Sequence, residues 1–94
     1  MKTDYFLEKI IGEDETRKAL SELLPGQANP WILWGGEGDA LAYFHFNKNG
    51  EGALSINASI SGRHYGKDES ALEILRKLQR RIGGTIEDDF GNAI

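Results

Sequence analysis

The run Ala53–Ser61, ALSINASIS, places the tightest constraint on the fold. Leu54, Ile56, Ala58 and Ile60 alternate there with Ser55, Asn57, Ser59 and Ser61. A side-chain period of two belongs to a β-strand, and strict apolar–polar alternation belongs to one with a buried face and a wet face. Such a strand needs partners to pair with and a layer to cover its apolar side.

The partners lie just upstream. Trp31–Trp34 (WILW) and Ala40–Phe46 (ALAYFHF) read as two further strands. In the second, Ala40, Ala42, Phe44 and Phe46 share one face, and Leu41, Tyr43 and His45 share the other. The links are short: GGEGD at 35–39 and NKNGEG at 47–52, the latter with Asn49–Gly50 as a tight-turn signal. Short links join antiparallel neighbours, so these three strands form a meander.

The covering layer comes from both flanks. Asp4 to Leu24 reads as helical, with Phe6, Leu7, Ile10 and Ile11, then Ala19, Leu20, Leu23 and Leu24, at helical spacing. Gly12 interrupts this stretch, which predicts either two short helices or one broken helix, with Asp14 as a second N-cap. LPGQANP then ends the helical stretch. Downstream, Ser70 and Glu73 form a capping-box pattern before a stripe of Ala71, Leu75, Leu78 and Ile82, with Leu72 and Ile74 beside it. Arg76, Lys77, Arg80 and Arg81 fall in the last turns, where cations suit the helix dipole, and Gly83–Gly84 end the helix. Thr85–Glu87 can add a short fourth strand, and Asp88, Asp89 and Gly91 read as a turn. The expectation is one α+β domain over residues 1–94, in two layers, with helices on one face of an antiparallel sheet.

Composition narrows the chemistry. The chain has 94 residues and no cysteine, which excludes disulfides and thiolate metal sites. His45 and His64 share no metal-ligand spacing, so no metal and no cofactor are expected. His64 could pair with Asp88 or Asp89 only if the C-terminal segment folds back. GGEGD lacks the lysine and hydroxyl of a phosphate loop, and a strand rather than a helix follows it. Glu37 and Asp39 would also repel a phosphate, so this segment is a hairpin turn. No serine sits in a nucleophile elbow, and no catalytic residue is assigned. The expectation is a non-enzyme.

The net charge of −4 disfavours nucleic acid and anionic membranes. Trp31 to Asn47 carries no lysine or arginine, unlike an aromatic sheet that stacks bases. A nucleic-acid-associated regulator would have to use Arg63 and the basic run Arg76, Lys77, Arg80 and Arg81. A small enzyme or ligand-binding subunit working at an oligomer interface is a third class. No stretch of about 18 apolar residues exists. Asp4 and Glu8 fall where a secretory leader needs an acid-free apolar core, so the expected compartment is the cytoplasm. The acidic groups instead suit a basic protein surface, such as the cationic cleft of a nuclease, with an exposed tryptophan as anchor. Trp34, Glu37, Asp39, Asp88 and Asp89 are the expected partner-binding residues.

In size, acidity, freedom from disulfides and layout, the chain resembles the small immunity proteins with which bacteria neutralise a cognate toxin. That resemblance implies a cytoplasmic inhibitor that covers the toxin's functional surface. Phage anti-defence inhibitors share the same traits.

Overall fold

In a computed structural model the described residues are 4–27, 29–48 and 50–94. Strand β1 (Asp4–Ile10) leads to helix α1 (Glu13–Leu23). The meander follows as β2 (Trp31–Gly36), β3 (Asp39–Lys48) and β4 (Leu54–Ile60). A 3-10 turn at Gly62–His64 leads to α2 (Asp68–Ile82), and β5 (Thr85–Asp88) ends the order. All strand pairs are antiparallel, in the order β2-β3-β4-β1-β5. The α+β class, the meander, the C-terminal helix and the short last strand are as expected. Without β2 the chain runs β-α-β-β-α-β, a split βαβ arrangement extended by one edge strand.

One expected helix is a strand. Asp4–Ile10 pairs with β4 on one side and β5 on the other. The helical spacing of Phe6, Leu7, Ile10 and Ile11 also fits a strand in which Tyr5 and Leu7 share one face. A short apolar run does not distinguish the two periods. A bulge resolves the phase: the register shifts between Leu7 and Ile10, and Lys9 takes φ 60. The extra residue returns Ile10 to the buried side, while Ile11 is exposed. Helix α1 then starts from Gly12 (φ 94) as N-cap rather than from Asp14. Glu13, Asp14 and Glu15 lie in its first turn, where the helix dipole favours acids.

Directly paired residues share a sheet face, so the register defines two surfaces. Tyr5, Leu7, Trp31, Ala42, Phe44, Phe46, Ile56, Ala58, Ile60 and Ile86 lie on the buried one. Thr16, Ala19 and Leu20 of α1 and Ala71, Leu72, Leu75 and Leu78 of α2 complete the core against it. The opposite face carries Phe6, Ile32, Tyr43, His45, Asn57 and Ser59, all half-buried. The third-strand alternation therefore reads correctly through the whole sheet. Leu41 is the exception. The pairing of Leu33 with Ala42 and of Trp34 with Ala40 leaves Leu41 as a bulged residue, and both Leu41 and Ala42 are buried. The Asn49–Gly50 turn signal lies partly outside the described residues, but Lys48 and Leu54 on either side are paired.

Helix α2 begins two residues before the expected cap. Lys67 is the N-cap and makes no side-chain capping bond, so Ser70 and Glu73 form no capping box. Asp68 and Glu69 occupy the first turn instead. Asp68 accepts a hydrogen bond from the Tyr5 hydroxyl, which fastens the start of α2 to the interior strand β1. Burial, then this bond and the neighbouring acids push the Tyr5 phenol well above its ordinary value. The neutral phenol is favoured in the fold, so its contribution is complete below about pH 10 and is lost as pH rises beyond that. Ultraviolet titration of tyrosinate should show a late component, with Tyr5 ionising only as the fold opens. Tyr5→Phe should remove that late component.

Candidate functional site

The β2–β3 hairpin carries the groups from which a binding site can be built. Its turn is Glu37–Gly38, with Gly38 at φ 69, a conformation that glycine adopts without steric cost. Trp34, just before it, is 51% exposed, whereas Trp31 is 1% exposed and packs inward. The Trp31 indole N–H donates to Ser21 Oγ at 3.4 Å, tying β2 to α1. The two tryptophans thus divide into a core residue and a surface residue.

Beside Trp34 lies an open groove of about 520 Å³, bounded by Leu23, Leu24, Pro25, Gln27, Leu33 and Trp34. It sits where the end of α1 passes the edge of the sheet. The LPGQANP segment therefore does more than stop a helix. Gln27 turns its side-chain amide onto β2: Nε2 donates to the Ile32 carbonyl at 3.0 Å, and the Ile32 N–H donates to Oε1 at 2.9 Å. Asn29 does the same for β3, receiving the Phe46 N–H at 3.0 Å and donating to its carbonyl at 3.2 Å. Neither amide could be assigned from sequence, because only the fold brings each one to a strand.

The turn end of the hairpin is fastened by a pair that the sequence did not indicate. His64 Nε2 lies 2.9 Å from Asp39 Oδ2, across 25 residues of chain. A carboxylate only accepts, so Nε2 carries the hydrogen. Nδ1 is buried and has no hydrogen-bond partner among the described residues. The ring rests on Gly35, where an added Cβ would stand 3.2 Å from Cε1 and 3.3 Å from Nε2. With one nitrogen committed and the other buried, the pair anchors the hairpin in this arrangement. Arg63 reaches the same carboxylate at 3.7 Å.

The His64 hydrogen bond holds the Asp39 carboxyl below its usual value, outweighing burial and helped by the charges of His64, Arg63 and Lys67. The charged form is favoured in the fold. Its contribution is therefore present above the ordinary carboxylate range near pH 4 and is lost as pH falls through the lowered value. An NMR titration of the Asp39 carboxyl should give a midpoint below that of unfolded aspartate. His64→Gln should bring it back up; an unmoved midpoint would contradict this origin.

The expected binding residues do not gather into one patch. Glu37 is exposed at the turn, and Trp34 is exposed beside it. Asp39 is drawn towards His64 and Arg63. Asp88, expected at an exposed tip, is 2% exposed. Its carboxylate accepts the N–H groups of Phe90 at 2.9 Å and Asn92 at 3.0 Å, so it folds its own turn. Asp89 is exposed in that same turn. The register places both turns at one end of the sheet, but β2 and β5 are its opposite edges, four strand spacings or roughly 19 Å apart. His64 pairs with Asp39 and not with Asp88 or Asp89.

The basic helix end is similarly occupied. Arg76 pairs with Glu69, Lys77 with Glu73 and Arg81 with Glu22. Three of its four cations thus face acids of this chain, which disfavours a phosphate-binding role. Among the described residues no group of three or more histidine, cysteine or acidic side chains is placed to hold a metal, and no helix is long and apolar enough to cross a membrane. No family model, curated protein or solved structure matches the chain.

Proposed function

We propose that this chain is a non-enzymatic inhibitor that binds a protein with a basic surface, and specifically an immunity protein that covers a cognate bacterial toxin in the cytoplasm. The observation that carries this reading is the half-exposed Trp34, set against an apolar groove and followed by the exposed Glu37 on a hairpin anchored through Asp39 and His64. A large aromatic beside an apolar pocket has the form of an interface hot spot. A neighbouring acid and a net charge of −4 suit a cationic partner and speed its approach. Trp34 and Glu37 would form the contact, while Asp39 would position the hairpin. Asp89 would contribute only to a partner wide enough to reach the far edge, and Asp88 would act through its turn.

The test is co-expression with the toxin domain encoded beside this chain's gene. Growth of the bacterial host should be restored by the chain and lost with Trp34→Ala plus Glu37→Lys, with the variant's fold checked by thermal unfolding. Absence of a toxin gene there, or rescue untouched by both substitutions, would defeat this assignment.

A further inference from the structure

The two edges of the sheet are treated differently. The outer edge of β5 is covered by the chain's own last residues: Asp88 N–H donates to the Asn92 carbonyl, Ile94 N–H donates to the Ile86 carbonyl, and Glu87 bridges to Ala93. Among the described residues, the outer edge of β2 is met by the side chain of Gln27. Its amide offers Ile32 one donor and one acceptor, as the backbone of a neighbouring strand would. An exposed strand edge is commonly blunted by charge or proline, yet Trp31–Gly36 contains neither. The apolar groove opens alongside, with Trp34 on its rim.

We propose that the β2 edge takes an extended, lysine- or arginine-bearing segment of a protein partner as a sixth strand, replacing the Gln27 amide at Ile32. This inference rests on the protein-binding reading above and specifies its mode. Main-chain bonds to Ile32 would supply attachment, and alternate apolar side chains would enter the groove between Trp34 and Leu24. Charge sets the sequence preference. Among the described residues no lysine or arginine lines the groove, and Glu37 stands exposed where β2 ends. A basic residue on the incoming segment meets that acid, whereas an acidic segment is repelled by it and by the net charge of −4.

A random linear peptide library panned against the full chain tests this. Enriched peptides should alternate apolar residues with lysine or arginine. Trp34→Ala should weaken them by roughly thirtyfold or more. Gln27→Ala should bind them several-fold more tightly, because the competing amide is gone; a merely structural Gln27 would lower the thermal midpoint without improving binding. Exchange of the Ile32 amide should slow in the complex. No enriched peptide, enrichment indifferent to Trp34→Ala, or an unchanged Ile32 amide would each overturn the proposal. Sedimentation showing a dimer that Trp34→Ala abolishes would also overturn it, by assigning the edge to a second copy. The growth assay separates the two readings. Rescue without peptide binding leaves the inhibitor and removes strand addition. Peptide binding without rescue leaves the edge site and removes immunity.

Discussion

Phe44→Ala should destabilise the fold by about 3–5 kcal/mol, a large share of the 5–15 kcal/mol typical of a whole domain. Phe44 is fully buried at the middle of β3. Its partners across the strands are Trp31 on β2 and Ala58 on β4. The cost of such a deletion depends on how well the site collapses. Here Ala58 and Ala42 are already small, and Trp31 is held through its indole bond to Ser21, so the neighbours have little material with which to fill the void. Urea unfolding should show a lower midpoint with a little-changed slope. Tyr43, one residue earlier, faces the opposite side and is half-buried. Tyr43→Ala should cost less than about 1 kcal/mol. Equal losses at the two positions would mean that the helices do not cover only one face.

This contrast was legible in the sequence because alternation is a local property. Leu54, Ile56, Ala58 and Ile60 indicate which face is buried in β4, and the pairing transfers that phase to Phe44 and Phe46. The α2 stripe was legible for the same reason: Ala71, Leu75 and Leu78 recur at helical spacing and are fully buried. Asp4–Ile10 misled because seven residues with a bulge at Lys9 satisfy both periods. Only the long-range pairing to β4 and β5 decides between them, and no local pattern encodes it. The candidate site divides along the same line. Trp34 and Glu37 were legible as an aromatic and an acid around a hairpin turn. The His64–Asp39 anchor and the Gln27 amide on Ile32 depend on which segments the tertiary fold brings together. The sign of Asp88 was legible but its burial was not, since a turn-forming aspartate and an exposed one have the same sequence signature.

Gly84→Ala should cost about 2–4 kcal/mol, although the position lies in a connection rather than in the core. Two effects add there. Gly84 has φ +101, which side-chain-bearing residues rarely adopt. An added Cβ would also stand 2.6 Å from the Glu8 carbonyl oxygen and 3.1 Å from Leu7 Cδ1. Neither contact yields easily. Glu8 belongs to the backbone of the interior strand β1, paired with Thr85 in the adjoining ladder, and Leu7 is fully buried. The Gly84 carbonyl is meanwhile held by Gln79 Nε2 at 3.1 Å, which resists a local shift of the turn. Gly83 supplies the control. It too has positive φ, at +77, but nothing lies within 4 Å of its would-be Cβ. Gly83→Ala should carry only the conformational penalty, about 1–3 kcal/mol. Denaturant midpoints of the two variants should therefore differ, and the difference measures how closely α2 must turn against β1 to deliver β5 to the edge of the sheet. Equal penalties at both glycines would show that β5 can move away from Glu8, and the ladder between β1 and β5 would then be a weak part of the fold rather than the strand that closes it.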